Sequence, residues 1–309
     1  MKILIKSDFD RGDDWRKAFA DRAPEMTLID WPYQGDPAAI DYAAVWKMPH
    51  GELARFDNLK AIFSLGAGID HLANDLSRPP QVPVVRLVEP GLTAGMTEFA
   101  VMSVLQHHRF MLAYREFRRQ RQWRDILQVA PKDRRVGVMG LGILGGDAID
   151  KLRPFGFDLA GWTASPKKMT GVRCYHGDAQ LPDFLKATDI LLCLLPLTPA
   201  TRQILNKETF ALLPPGAAVI NLARGEHLNE KDLLAALDSG HLSGAILDVF
   251  EQEPLPGDSP LWDHPKVSIT PHIASMLMVD TTTDFIVENI RRFESGGALD
   301  PVVDFSRGY

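Results

Sequence analysis

The sequence predicts an α/β protein made of two doubly wound parallel-sheet domains, and three observations lead there. Short apolar runs alternate with helix-compatible stretches along the 309 residues. That length suits about two domains, each burying its own core. In between, the apolar run 136–139 feeds Gly140, Gly142 and Gly145, spaced G-x-G-x-x-G, and a helix-compatible stretch through Ala148, Ile149 and Leu152 follows.

In that setting each glycine has a physical reason. Gly140 permits a tight turn out of the strand, Gly142 lets a pyrophosphate approach the backbone, and Gly145 lets the helix pack close to its strand. The free N–H groups and positive dipole end of the helix then hold phosphate charge. The plainer alternative is a glycine-rich turn without a ligand. A strand before it and a helix after it favour dinucleotide binding.

The elements follow in order. Residues 2–6 read as a first strand and 13–22 as a polar-faced helix. The runs 43–46 and 61–65 read as buried parallel strands, the second leading directly into Gly66-Ala67-Gly68. Pro79, Pro80 and Pro83 punctuate the chain before a short strand at 84–87. Residues 96–123 form the longest helical pattern, apolar first and arginine-rich later; with an acidic chain this reads as a contact helix rather than a nucleic-acid surface. A second unit of strands begins at Arg135: 136–139, 159–162, 190–194, 218–222, 244–247 and 267–270. Helices at 207–212 and 229–239 lie between them, Asn229 being a natural N-cap, and a last helix spans 280–294.

Bulk properties exclude several classes. The net charge of −6 argues against a polyanion partner, so no nucleic acid is expected. Cys174 and Cys193 make neither a disulfide framework nor a zinc site, and no spacing of histidines, cysteines and carboxylates reads as a metal site. The opening MKILIKSDFDRGDD turns acidic too soon for a signal peptide, and the apolar block 190–197 is too short for a membrane span. A cytoplasmic protein without membrane contact is expected. No G-x-S-x-G elbow is present.

Ligands of such sheets sit outside the carboxyl ends of the strands, so the residue just past each strand matters. Arg224 follows the strand at 218–222, Asp248 the next, with Glu251 and Glu253 after it, and His272 follows 267–270. Reduction of a 2-oxo acid needs this set. A histidine with a carboxylate partner protonates the developing alkoxide, and an arginine grips the substrate carboxylate and polarises the carbonyl. Singly, each has a duller reading: an ion pair, a solvated loop charge, a turn histidine. The other histidines lie elsewhere: His107 and His108 in the long helix, His176, His227, His241 and His264 in loops or helix ends, His50 and His71 in the first unit.

SLGAGIDH (64–71), VGVMGLGILGG, LLPLTPATR (194–202), INLARG (220–225), LDVFEQEPLP (247–256) and TPHIAS (270–275) resemble the D-isomer-specific 2-hydroxyacid dehydrogenases over nearly the whole chain. AAVWKMP around Trp46, GMTEFAV around Glu98 and the terminal Arg307-Gly308-Tyr309 resemble the family's reductases of glyoxylate and hydroxypyruvate. The resemblance implies two Rossmann-like domains with the active site in the cleft between them. Residues 1–96 plus 277–309 form the substrate domain and 97–276 the dinucleotide-binding domain. Arg224 binds the substrate carboxylate, His272 gives the proton, and Glu253 rather than Glu251 is its partner. The backbone of Gly66, Ala67 and Gly68 holds the carboxylate beside Trp46. The cofactor is expected against Gly140, Gly142, Ile143, Leu144 and Gly145, against Thr163, Ser165 and Lys167, and against Leu195, Pro196, Thr201, Leu222, Ala223 and Asp248. Within this set Leu195 and Pro196 flank the adenosine side, and Asp248 meets the nicotinamide carboxamide. A homodimer is implied, held largely through the cofactor domain.

Charge decides the nucleotide. NAD sites place a carboxylate at the end of the second strand, for the ribose hydroxyls. Here that strand runs out into Thr163-Ala164-Ser165-Pro166-Lys167-Lys168, and Asp158 comes before it. Hydroxyls and lysines suit a 2′-phosphate, so NADP(H) is expected over NAD(H), although Ala164 stands where the reductases carry arginine. Met276-Leu277-Met278 after the histidine replaces more polar residues, which bears on substrate size. The alternatives are an NAD-linked dehydrogenase for a bulkier D-2-hydroxy acid and a non-enzymatic cofactor-sensing interaction protein.

Overall fold

The computed structural model describes residues 1–8 and 12–305. Arg307-Gly308-Tyr309 and the Phe9-Asp10-Arg11 stretch lie outside the described residues. The chain divides into two compact units: Met1–Leu92 with Met276–Tyr309, and Thr93–Ser275.

The first unit runs β1 (Lys2–Lys6), α1 (Gly12–Arg22), β2 (Thr27–Asp30), β3 (Tyr42–Val45), β4 (Ala61–Ser64), α2 (Asp70–Ala73) and β5 (Val84–Val85). Its strands form one parallel sheet in the order β2-β1-β3-β4-β5. β3 and β4 are buried at every position, which is why they are continuous apolar runs rather than alternating ones. Trp15 and Phe19 of α1 cover one face together with Ile286, Val287 and Ile290; Ile40, Leu53, Phe56 and Leu72 cover the other.

Helix α3 (Pro90–His108) carries the chain onward, and α4 (Met111–Arg119) follows. The single helix expected over 96–123 therefore breaks at Arg109 and Phe110, and residues 120–130 are not helical. Phe110 takes a left-handed φ of 57°. The break re-aims α4 so that Leu112 reaches the side-chain-free position of Gly244. Tertiary packing here overrides a pattern that is locally helical throughout. Arg115 donates to Ser268 and Gln106, and Arg119 pairs with Glu116 within α4.

The second unit continues with β6 (Arg135–Met139), α5 (Ile143–Leu152), β7 (Asp158–Thr163), β8 (Arg173–His176), α6 (Gly177–Lys186), β9 (Ile190–Cys193), α7 (Lys207–Leu212), β10 (Ala217–Asn221), α8 (Glu230–Asp238), β11 (Leu242–Leu247) and β12 (Val267–Ile269). These strands make a seven-stranded parallel sheet, β12-β11-β10-β9-β6-β7-β8. Asn229 caps α8 by accepting from the Asp232 N–H at 3.1 Å. The last helix, α9 (Val279–Glu294), returns to the first unit and packs on α1.

Three elements absent from the sequence reading have identifiable causes. β2 and β8 are edge strands, largely half-exposed, and so lack an apolar run. Helix α6 holds Pro182 in its interior, a residue that argues against a helix. One placement is corrected. Asp158 does not precede β7 but is its first residue, where it pairs with Arg173; His176 ends β8 and is also the N-cap of α6, a helix end as expected. Asp158 still stands at the amino end of its strand, remote from any nucleotide site at the carboxyl edge. Among the described residues, no helix is long and apolar enough to cross a membrane.

Candidate active site

Because all seven strands of the second sheet are parallel, the residues that follow them emerge at one edge. The strand order reverses between β6 and β9, since the chain proceeds outward from β6 to β7 on one side and from β9 to β10 on the other. A crevice opens at such a switch point, and the glycine loop stands there. Gly140 has φ +97°, and its N–H donates to the Trp162 carbonyl. A Cβ on Gly145 would lie 1.8 Å from the Gly140 carbonyl oxygen, whereas one on Gly142 would meet nothing within 4 Å. Gly142 is the N-cap of α5 and supplies no side-chain cap, so Ile143, Leu144 and Gly145 present first-turn N–H groups that only a ligand or water can meet. The cradle fits a dinucleotide diphosphate: backbone donors, a helix dipole, and open space where a side chain would stand.

Beyond β7, the Thr163 hydroxyl donates to the Ser165 carbonyl at 2.6 Å and accepts from the Ser165 N–H, closing a tight turn. The Lys167 ammonium donates to the Leu141 carbonyl, which sets the cation against the glycine loop. Ala164, Ser165 and Lys168 are exposed. Past β9, Leu195 is buried, and the Thr201 hydroxyl donates to the Pro196 carbonyl at 2.8 Å, fixing that turn.

The neighbours β10, β11 and β12 lead into the residues expected to react. His272 Nδ1 lies 2.8 Å from Glu253 Oε2, with side chains 30% and 24% exposed, so the pair is fixed yet reachable. The other Glu253 oxygen accepts from the Phe250 N–H at 3.2 Å. Among the described residues, Glu251, the rival partner, makes no hydrogen bond to His272.

His272 takes φ 56°, a costly conformation for a side chain with a Cβ, and Asp248 helps hold it there. The Asp248 carboxylate is 1% exposed and accepts from the Thr270 hydroxyl (2.6 Å) and from the N–H groups of Ile273 (2.9 Å) and Ala274 (2.8 Å). Its own carbonyl accepts from the His272 N–H at 2.7 Å. Burial pushes the Asp248 carboxyl above its ordinary pKa, against the pull of those three donors. Its carboxylate thus anchors the 270–274 turn, beyond the nicotinamide contact expected of it.

Arg224 follows β10 by two buried residues, Leu222 and Ala223, and its guanidinium donates to the Ala223 carbonyl at 2.7 Å. Asn221, the last residue of β10, is fully buried; its amide donates to the Arg224 carbonyl at 2.9 Å and accepts from the Ala223 N–H at 3.2 Å. Asn221, Thr270 and His227 were not singled out in the sequence. Asn221 left a signal, a lone amide ending an apolar strand. Thr270 and His227 left none. Among the described residues no group of three or more histidines, cysteines and carboxylates could hold a metal ion.

The first unit carries its own expected site residues at the carboxyl ends of β3 and β4. Trp46 lies on the Gly66 turn so closely that a Cβ there would come within 2.4 Å of its ring. His71 stacks beside Trp46 with centroids 4.6 Å apart, and its Nε2 lies 3.0 Å from the Ser64 hydroxyl. That hydroxyl also contacts the Gly66 and Gly68 carbonyls, so the turn is braced from beneath.

The model of the D-isomer specific 2-hydroxyacid dehydrogenase NAD-binding domain matches residues 101–274. The chain belongs to that family. It is 40% identical over its whole length, and over the whole of the relative, to glyoxylate/hydroxypyruvate reductase A of Photorhabdus laumondii. Among solved structures, a D-isomer specific 2-hydroxyacid dehydrogenase from Xanthobacter autotrophicus Py2, in complex with NADPH and MES, is 43% identical with a TM-score of 0.95, covering 100% of this chain and 99% of that one. The NADPH-dependent glyoxylate/hydroxypyruvate reductase of Sinorhizobium meliloti, in complex with NADP and sulfate, is 40% identical with a TM-score of 0.94 and the same coverage. For a dehydrogenase of this family, a glycine cradle and a carboxylate-tethered histidine on one sheet edge are the parts its chemistry requires.

Proposed function

We propose that the chain reduces a small 2-oxo acid, glyoxylate or hydroxypyruvate, to the 2-hydroxy acid with NADPH. The observation that carries this reading is the Glu253–His272 pair at 2.8 Å, on the sheet edge that also bears Arg224 and the glycine loop. The relatives named for this activity support it, as do the solved relatives bound to NADPH or NADP. NADPH, when bound, supplies the hydride that the carbonyl carbon accepts. Gly140, Gly142, Ile143, Leu144 and Gly145 would hold its diphosphate, Thr163, Ser165 and Lys167 the 2′-phosphate, and Leu195, Pro196, Thr201, Leu222, Ala223 and Asp248 the rest.

The chain's own groups do the remaining work. Glu253 occupies Nδ1 of His272, which leaves Nε2 to protonate the developing alkoxide oxygen. The fixed charge of Arg224 pairs with the substrate carboxylate and draws electron density toward the carbonyl oxygen. The N–H groups of Gly66, Ala67 and Gly68 hold the same carboxylate, and Trp46 limits the substrate to a small one. Asp248 keeps the His272 turn in place through Thr270, Ile273 and Ala274.

The test is NADPH consumption with glyoxylate, hydroxypyruvate and bulkier 2-oxo acids, for wild type and His272→Ala. Loss of the proton donor should slow turnover by about 10²–10⁴-fold. A mutant with unchanged turnover removes His272 from this role. NADPH should exceed NADH in kcat/KM at least about tenfold, as one charge-assisted phosphate contact provides.

We also propose a homodimer. Trp123 and Leu127, on the non-helical stretch 120–130, are 105% and 91% exposed, side chains that a monomer rarely leaves in water. Light scattering should give twice the chain mass, and Trp123→Ser should shift it toward one. A wild-type monomer refutes this. The unpaired Cys174 and Cys193 suit a reducing compartment, which supports a cytoplasmic setting.

A further inference from the structure

His227 has no role in the scheme above, yet it is 0% exposed and stands between two parts of it. Its Nε2 lies 3.2 Å from the Pro196 carbonyl oxygen, and its Nδ1 lies 3.2 Å from both the main-chain nitrogen and the carbonyl oxygen of Arg224. A carbonyl can only accept, so Nε2 carries the hydrogen; in the neutral ring Nδ1 then has none to give the Arg224 carbonyl and offers its lone pair to the Arg224 N–H. One neutral tautomer satisfies both demands. An imidazolium would instead turn its second N–H to the Arg224 carbonyl and give up the bond from the Arg224 N–H. Burial, the largest influence, keeps the His227 pKa below the ordinary histidine value, consistent with the neutral form.

The surroundings make the strut specific. The Pro196 carbonyl also accepts from Thr201, and the Arg224 carbonyl accepts from Asn221. The two loops run side by side, Gln203 N–H to the Glu226 carbonyl at 2.7 Å and Leu205 N–H to the His227 carbonyl at 2.9 Å. Asn221 holds Arg224 from within its own loop, whereas the His227 ring reaches across to the other.

We infer that His227 is a positioning residue that ties the main chain of Arg224 to the Pro196 loop, coupling the substrate arginine to the turn expected beside the adenosine half of the cofactor. This rests on the roles proposed above for Arg224 and for Leu195-Pro196.

Three variants separate the two ends of the strut. His227→Asn keeps an acceptor near the Nδ1 position but cannot reach Pro196. His227→Gln keeps a donor near the Nε2 position but offers Arg224 nothing at Nδ1. His227→Phe keeps the ring and neither bond. The readouts are the NADPH Kd from nucleotide fluorescence, the glyoxylate KM at saturating NADPH, and Tm. Each lost bond should cost about three- to tenfold in the constant it serves. The Gln variant should raise the glyoxylate KM and spare the NADPH Kd, the Asn variant the reverse, and the Phe variant should raise both. A Phe variant within twofold of wild type in both constants overturns the inference. So does a pair of Asn and Gln variants whose constants move together in proportion to Tm, the mark of packing alone; that pair decides the matter even if the Phe variant does not fold. Arg224→Gln serves as the reference: an unchanged glyoxylate KM there would overturn the role of Arg224 itself, a result distinct from unresponsive His227 variants.

Discussion

Alanine at Gly145 and alanine at Gly142 should produce opposite phenotypes, although both residues belong to one motif. A Cβ on Gly145 would stand 1.8 Å from the Gly140 carbonyl oxygen, a separation that real Cβ contacts do not approach even at 3.0 Å. The obstacle is backbone on both sides, so α5 has to back away from the β6 turn by about an ångström. Overpacking of this kind costs about 1–3 kcal/mol. For a domain the size of the Thr93–Ser275 unit, each kcal/mol lowers Tm by about 2–4 °C, so a fall of about 2–12 °C is expected. Gly142 has φ −69° and nothing within 4 Å of its Cβ position, so its alanine variant should melt within about 2 °C of wild type, the difference being the loss of a favoured N-cap residue. Its methyl group fills the space a diphosphate needs. Thermal melts with and without NADPH read both effects. At a nucleotide concentration about a hundredfold above Kd, binding adds about 2.7 kcal/mol to wild type, and Gly142→Ala should lose most of that shift. Gly145→Ala melting with wild type, or Gly142→Ala responding to NADPH as wild type does, would refute the account of the loop.

Two further outcomes follow from local chemistry. Ala164→Arg places a guanidinium at an exposed position next to Ser165 and Lys167, and should raise the NADPH-over-NADH ratio of kcat/KM by about three- to tenfold, checked by initial rates with both nucleotides. Asp189 joins the edge of β6 to β9, accepting from the Arg135 N–H at 2.9 Å and from its guanidinium. Burial alone would raise the Asp189 carboxyl, but the Arg135 hydrogen bonds and charge hold it below the ordinary value. Its stabilisation is therefore complete above the unfolded pKa of about 3.9 and is lost as pH falls through the lower folded value. Asp189→Asn should cost about 1–2 kcal/mol at neutral pH, and urea unfolding should show the gap closing toward pH 3. A gap independent of pH would refute that origin.

Much of the fold was legible because buried parallel strands must be apolar on both faces. β3, β4, β9 and β10 are buried throughout and stand out as runs. Edge strands β2 and β8 carry no such constraint, and Pro182 disguises α6. The break at Phe110 was invisible for another reason. It accompanies a contact of Leu112 with the bare position of Gly244, more than a hundred residues away, which no local pattern records.

The sequence by itself determined which groups are proposed to react. A parallel sheet puts every strand's successor on one edge, so Arg224, Asp248 and His272 could be read as neighbours without coordinates, and the turn glycines announced a phosphate cradle. Tertiary structure alone decided how those groups are held. Asp248 as the anchor of the 270–274 turn, Asn221 and His227 on the two peptide groups of Arg224, and Lys167 against Leu141 all depend on hydrogen bonds between loops distant in sequence. The physical reason is that burial makes an unpaired polar group costly, and which partner satisfies it is settled only when separate loops meet.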